Sequence, residues 1–265
     1  MTSFSARRQA RRAVFKAIAC AAIAIGLAPA AQAQERLDYA VLSLVGDQIG
    51  VVGYNPAIGS NLNRHSRRQV DLQDDSLDRA ALIAVHEAVK RSEPDAELAL
   101  LKSRNPAHFK FEDHDFDSLR QPGGLIEALK PLVQQTNAKR LVLVTKYRAE
   151  ITLAVMDGGL HRPGKLYGPG FYLDRATPML ARNSGESSIG FVAPFAYLRV
   201  SVIDVPTMAM ISTATATESM LVTVANKRDA VDPWDALDSA EKVRYLQEAI
   251  RVGVDSALER QKPVR

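Results

Sequence analysis

Residues 139–145 read Lys139-Arg140-Leu141-Val142-Leu143-Val144-Thr145. Four consecutive apolar residues, two of them β-branched, sit between a basic pair and a polar exit. That pattern predicts a strand buried on both faces, extending through Tyr147 toward Val155. Such a strand needs a covering layer on each side, and the surrounding chain must supply it. Just upstream, Leu125, Ala128, Leu129, Leu132 and Val133 recur at helical spacing, with Pro131 expected to kink or divide the helix. A helix that leads straight into a buried strand is the αβ step of an α/β fold.

Toward the N-terminus, Glu97 to Ser103 reads as another strand. Before it, Leu77, Ala80, Ala81, Ala84, Val85 and Ala88 form one helical stripe, with Asp74, Asp75 or Ser76 as cap and Glu93-Pro94-Asp95 as terminator. Leu37 to Val45 and Ile49 to Tyr54 read as a β-hairpin turned at Gly46-Asp47. Residues 55–69 read as a polar loop. Toward the C-terminus, residues 156–190 are rich in Gly, Pro and Ser. They predict a flexible excursion, or a hairpin with a mobile tip near Asn183 to Ser188. Ala193 to Val205 is a long strand, Pro206-Thr207 a turn, and Met208 to Thr217 a returning strand. Asp238 and Glu241 form a capping-box pair for the last helix. Its stripe is Val243, Leu246, Ile250, Gly253, Val254, Ala257 and Leu258. The order β-hairpin–α–β–α–β–β-hairpin–α predicts a single mixed α/β (α+β) domain over residues 34–265, with helices packed on a mixed sheet.

Residues 1–33 have another character. Arg7, Arg8, Arg11, Arg12 and Lys16 precede an apolar body, Ala17 to Ala30, that ends in Ala31-Gln32-Ala33. A basic head, a short apolar body and a small-x-small end predict a secretory signal peptide cleaved after Ala33. Arg11-Arg12 also admits the twin-arginine route. Cys20 lies too early in the apolar body to be a lipid-attachment site. No later stretch approaches the roughly 18 apolar residues of a membrane span. The full chain has 34 Lys and Arg, 30 Asp and Glu, and net charge +4. Without the five basic residues of the leader, 29 bases face 30 acids and the charge is −1. The basic balance therefore belongs to the leader and gives no warrant for nucleic-acid binding. Cys20 leaves with the leader, which excludes disulfides and cysteine-built zinc sites from the remainder.

Motifs that carry chemistry are sparse. Gly159 to Lys165 has P-loop spacing, but Leu166 stands where a magnesium-holding hydroxyl belongs, and Tyr167-Gly168-Pro169-Gly170 cannot start a helix. Gly46-Asp47-Gln48 follows a strand as the Gly-Asp-Ser of a lipase would, but Gln48 is no nucleophile. His108, Glu112, Asp113, His114, Asp115 and Asp117 are the densest group of metal-ligating side chains. They lie on a loop-like stretch without fixed helical geometry, so solvated charge is the favoured reading. His86 is expected on the helix surface, and His65 and His161 in loops. Arg64, His65, Arg67 and Arg68 form a small basic patch, read as solvated loop. Phe171, Tyr172, Phe191, Phe195 and Tyr197 read as core. No catalytic, cofactor or metal residue is assigned.

Three segments carry a resemblance. Gly124 to Thr136 leads into Lys139 to Val144. Phe195 to Val205, Pro206-Thr207 and Met208 to Ser212 make a strand, turn and return. Gln247 to Leu258 makes a closing helix. This succession resembles the bacterial envelope α/β modules of the TolB N-terminal, curli-secretion lipoprotein and penicillin-binding-protein-activator type, over Leu37 to Arg260. The resemblance implies an envelope role and a mixed α/β scaffold. It transfers no site residue, because those modules share no catalytic set. The expectation is a periplasmic, non-catalytic accessory protein that binds another envelope component, with residues 156–190 as the contact region. The alternatives are a metal-assisted hydrolase using His108 to Asp117, and a small-ligand binding protein.

Overall fold

The computed structural model describes residues 37–55, 65–110, 121, 123–155, 158–180, 187–223 and 232–261. In chain order the strands are β1 (Tyr39–Leu44), β2 (Gln48–Gly53), β3 (Ser66–Asp71), β4 (Leu98–Leu101), β5 (Arg140–Lys146), β6 (Arg148–Val155), β7 (Gly158–Leu180), β8 (Ser187–Asp204), β9 (Ala209–Ser219) and β10 (Val222–Thr223). The α-helices are α1 (Ser76–Ser92), α2 (Leu125–Gln134) and α3 (Ser239–Arg260). The fold is a single mixed α/β domain on a ten-stranded sheet, ordered β3-β2-β7-β8-β5-β1-β4, with β9 and β10 on β8 and β6 on β7. None of the described helices is long and apolar enough to cross a membrane.

The apolar run at Leu141 to Val144 is β5, with all four side chains buried. Alternation sends Val142 and Val144 to one face, beneath α1 and α3. Leu141 and Leu143 point the other way and meet Leu125, Ile126, Leu129 and Val133 of α2. The helix α2 runs through Pro131 without dividing. On α3 the capping box of Asp238 and Glu241 is formed, and Leu246, Ile250, Gly253, Val254 and Ala257 are buried as the stripe requires.

Three expectations change. First, β1 and β2 are not a hairpin: β1 pairs in parallel with β4 and β5, whereas β2 pairs with β3 and β7. Gly46 does turn the chain, at φ 73°. The turn separates the strands, and each pairs on both edges with other strands. Second, residues 66–69, read as the end of a polar loop, belong to the edge strand β3 (Ser66–Asp71), antiparallel to β2. It is mostly exposed and so lacks the apolar alternation that marks a strand. Third, the predicted flexible excursion is mostly paired β-structure. β7 and β8 are antiparallel out to Leu180↔Ser187, and Phe171, Tyr172 and Leu173 are core. Its Gly and Pro residues serve sheet corners and bulges, which look like loop composition in sequence. The tip itself, residues 181–186, lies outside the described residues.

The strand β8 organises the sheet. Along one edge, Ser187 to Tyr197 pair with β7 and Leu198 to Asp204 pair with β5. The other edge carries β9 and β10. Thus β5 and β7 meet end to end and diverge, leaving a fork. Tyr147 stands at the fork: its N–H donates to Tyr197 O at 2.9 Å, and Gly168 N–H donates to Tyr147 O at 3.2 Å. From there β6 leaves the main sheet, and the first half of β7 goes with it. This hairpin covers Tyr172, Phe191, Phe195 and Tyr197. The Tyr197 hydroxyl accepts from Thr152 N–H at 3.0 Å, and Ser219 Oγ accepts from Ala154 N–H at 2.8 Å.

Two positions hold this corner. Gly170 faces Gly50 across the parallel β2–β7 pair, and a Cβ there would lie 2.1 Å from Gly50 O and 2.7 Å from Phe195 Cζ. Farther along β7, Asp174 is fully buried at a bulge. It accepts from the Ala176 and Thr177 N–H groups at 2.8 and 2.9 Å, from Thr177 Oγ1 at 2.6 Å, and from Arg162 at 3.1 Å. Removing the carboxylate strands a largely buried guanidinium and two amides. Asp174→Ala should therefore cost about 3–5 kcal/mol in urea unfolding. Gly170→Ala should cost about 1–3 kcal/mol through overpacking. Unchanged unfolding midpoints would show that neither contact holds the corner.

Candidate functional site

β1 lies between β4 and β5, and all three are parallel. The chain leaves β1, passes through β2, β3 and α1, and returns as β4 on one side. It then passes through α2 and returns as β5 on the other side. The two helices cover opposite faces. Connections that depart in opposite directions leave a crevice beyond the carboxyl ends of the strands, where open α/β sheets bind ligands. Here the crevice has a volume of about 820 Å³. Its lining includes Asp47, Gln48, Asp74, Asp75, Asp78, Lys102 and Lys146.

Asp78 stands in the first turn of α1 and reaches back to the end of β1. It accepts from Ser43 Oγ at 2.5 Å, Val45 N–H at 2.9 Å and Gly46 N–H at 3.1 Å. Burial nevertheless pushes its carboxyl above the usual range, and the three hydrogen bonds only moderate the rise. Lys146, the last residue of β5, sits in the fork. Its Nζ donates to Gln48 O at 3.4 Å. Burial pulls its ammonium below the usual range, opposed by the charges of Asp78 and Asp47. A cation and an anion are thus both partly stripped of water beside one cavity, and a polar ligand would relieve both. Asp75, at the open rim, differs: Lys102 and Arg79 hold its carboxyl down to about 2.

A second lobe of about 270 Å³ adjoins the first through Gln48 and Lys146, which line both. Arg67 and Arg68 of β3, Arg148 of β6 and Tyr167 of β7 complete its polar wall.

The residues singled out in sequence fall mostly elsewhere. His108 is buried in a 3₁₀ turn, Pro106–Phe109. Its Nδ1 lies 2.8 Å from Ser103 Oγ and its Nε2 3.3 Å from Asn105 Nδ2, so both ring nitrogens already have protein neighbours. Glu112, Asp113, His114, Asp115 and Asp117 lie outside the described residues. Among the described residues no three His, Cys, Asp or Glu side chains gather as a metal site. Residues 159–165 are strand, with Lys165 opposite Glu150. His161 Nδ1 approaches Thr152 Oγ1 at 3.2 Å, and His65 Nε2 approaches Pro163 O at 2.6 Å. The aromatic residues Phe171, Tyr172, Phe191, Phe195 and Tyr197 are all buried. Arg67 and Arg68 do reach the crevice, whereas Arg64 lies outside the described residues. Sequence reasoning missed Asp78 and Lys146. The available signal was positional: an acid in the first turn of the helix after β1, and a lysine closing a buried strand.

No family model matches this chain, and no curated protein matches it. Among solved structures, it is similar to protein XCC0632 from Xanthomonas campestris, of family DUF330. That similarity covers 86% of this chain and 84% of the other, at 9% identity and a TM-score of 0.32. A likeness at this level assigns no function.

Asp78 gives the crevice a measurable signature. Its carboxyl is raised in the folded chain relative to the unfolded value near 3.8. Below that value both states are protonated and the group costs nothing. As pH rises through the raised value, the folded state must ionise a buried acid and loses stability. Asp78→Asn keeps an acceptor for the two amides and removes the titration. Its stability relative to wild type should therefore improve between pH 4 and pH 7, read by urea unfolding. A difference independent of pH would remove the burial argument.

Proposed function

We propose that the chain is an exported, non-catalytic accessory protein of the bacterial envelope, and that it binds an envelope component in the crevice at the carboxyl ends of β1, β4 and β5. The observation that carries this reading is the convergence of Asp78 and Lys146, on separate elements, at a topological switch point. A scaffold that buries opposite charges beside an open cavity favours a polar ligand over an apolar one. The crevice replaces residues 156–190 as the main contact region, since much of that stretch is core. Tyr167 is that stretch's contribution to the site. Export rests on the pattern of residues 1–33.

Expression of the full chain in a bacterial host, followed by osmotic shock and intact-mass measurement, tests the export half. The expected species is periplasmic and begins at Gln34. A cytoplasmic protein that retains residues 1–33 would overturn it.

A further inference from the structure

Among the described residues the sheet ends in several edges, and all but one are protected. β3 is mostly exposed and carries Arg67, Arg68 and Asp71. β4 has four residues and β10 two. Along β6, groups that turn away from β7 are taken by side chains of β8 and β9. Thr152 N–H donates to the Tyr197 hydroxyl at 3.0 Å, and Ala154 N–H donates to Ser219 Oγ at 2.8 Å. Charge, shortness and covering are the usual protections against further strand pairing. β9 keeps only a bulge, at Ile211. It runs eleven residues, Ala209–Ser219, and pairs only with β8 among the described residues. From Met208 to Thr217 the sequence has no charge, no Pro and no Gly. Ile211 is 54% exposed.

Arg260 shows which way this edge faces. Its guanidinium donates to Thr215 O at 2.8 Å, so that carbonyl points away from β8. In an antiparallel strand the N–H and C=O of one residue share a side, and every second residue shares it too. Thr213 and Thr217 therefore turn their N–H and C=O groups outward with Thr215. Arg260, an exposed side chain at the end of α3, holds one of these groups. Two antiparallel β9 strands related by a two-fold axis are self-complementary, and they close the assembly. Such a pair sets a strand against itself, so a charge in its middle would face its own like. The uncharged stretch avoids that cost. An edge of eleven residues is about 37 Å long and one sheet layer, about 10 Å, deep. It buries about 400 Å² per copy, half the roughly 800 Å² of a standard interface. That area suits a dimer that dissociates on dilution, not an obligate one. We infer that β9 pairs with β9 of a second copy, joining two sheets edge to edge into one. The surface is separate from the crevice, which no residue of β9 lines.

The test uses the full chain, expressed in a bacterial host and purified in the form the host yields. Sedimentation velocity from about 1 µM to about 300 µM should show a reversible monomer–dimer equilibrium, as a small interface requires. Amide hydrogen exchange at the two ends of that range should show added protection at high concentration, within residues 209–217. Thr213→Pro deletes one outward N–H and spares the ladder to β8. It should weaken the dimer tenfold or more. Thr213→Val keeps that N–H and loses only the hydroxyl contacts with Ser201 Oγ and Val200 O. It should change the dimer less than twofold. A monomer throughout the range overturns the inference, as does a dimer that leaves residues 209–217 without added protection. Equal weakening by Pro and Val also overturns it, as does no weakening by Pro. The exchange measurement reads the unaltered chain and decides even where Thr213→Pro does not fold.

Discussion

The structure depends on how β8 divides its edge. One strand of regular geometry has a single row of N–H and C=O groups on each side, and those groups must be paired when buried. By giving Ser187 to Tyr197 to β7 and Leu198 to Asp204 to β5, β8 joins two half-sheets that otherwise have no common partner. The parallel trio β4-β1-β5 belongs to one half and β3-β2-β7 to the other. Where β5 and β7 part, the sheet cannot stay continuous. Tyr147, Gly168 and Lys146 occupy that gap, and the crevice is its consequence.

The same division explains the layering. Beneath α1 and α3 the sheet presents one unbroken apolar face, from Tyr39 across Val142 and Val200 to Phe171. The other face is covered in two pieces. Helix α2 seals the side of β1 and β5, and the β6–β7 hairpin seals the side of β8 and β7. Tyr197 shows the logic at atomic scale. Its ring is core, and its hydroxyl serves the backbone of Thr152 on the covering hairpin. A tyrosine is suited to this position because its apolar body and polar tip face different layers.

Legibility in sequence followed locality. The strand at Leu141 to Val144, the stripes of α1 and α3 and the Asp238–Glu241 capping box are each specified within a few residues, and all appear as read. Pairing is not local. Gly46-Asp47 correctly marks a turn, but nothing nearby says that β1 will pair with residues 98–101 and 140–145. The strand β3 escaped because its exposed side chains bury little and need no alternation. The glycines and prolines of β7 mimicked a loop because corners and loops ask the same of a backbone. The site was hidden for the same reason. Asp78 is an ordinary helix-start acid and Lys146 an ordinary strand-end base until the fold sets them beside one cavity. Arg67 and Arg68 were visible as a patch, but their cationic neighbours Lys146 and Arg148 lie some eighty residues away along the chain.

The central place of β8 also sets a timetable. It is the eighth strand in chain order, yet the two half-sheets meet only through it. Parallel pairing of Gly50 with Gly170 and antiparallel pairing of Leu141 with Ile203 both close long loops before any contact rewards them. Contacts so distant in sequence are slow to form. The strands β1 and β2 have partners earlier in the chain, but the two half-sheets have no seam until residues 187–204 arrive. The joining of the two half-sheets is therefore a late event in chain order.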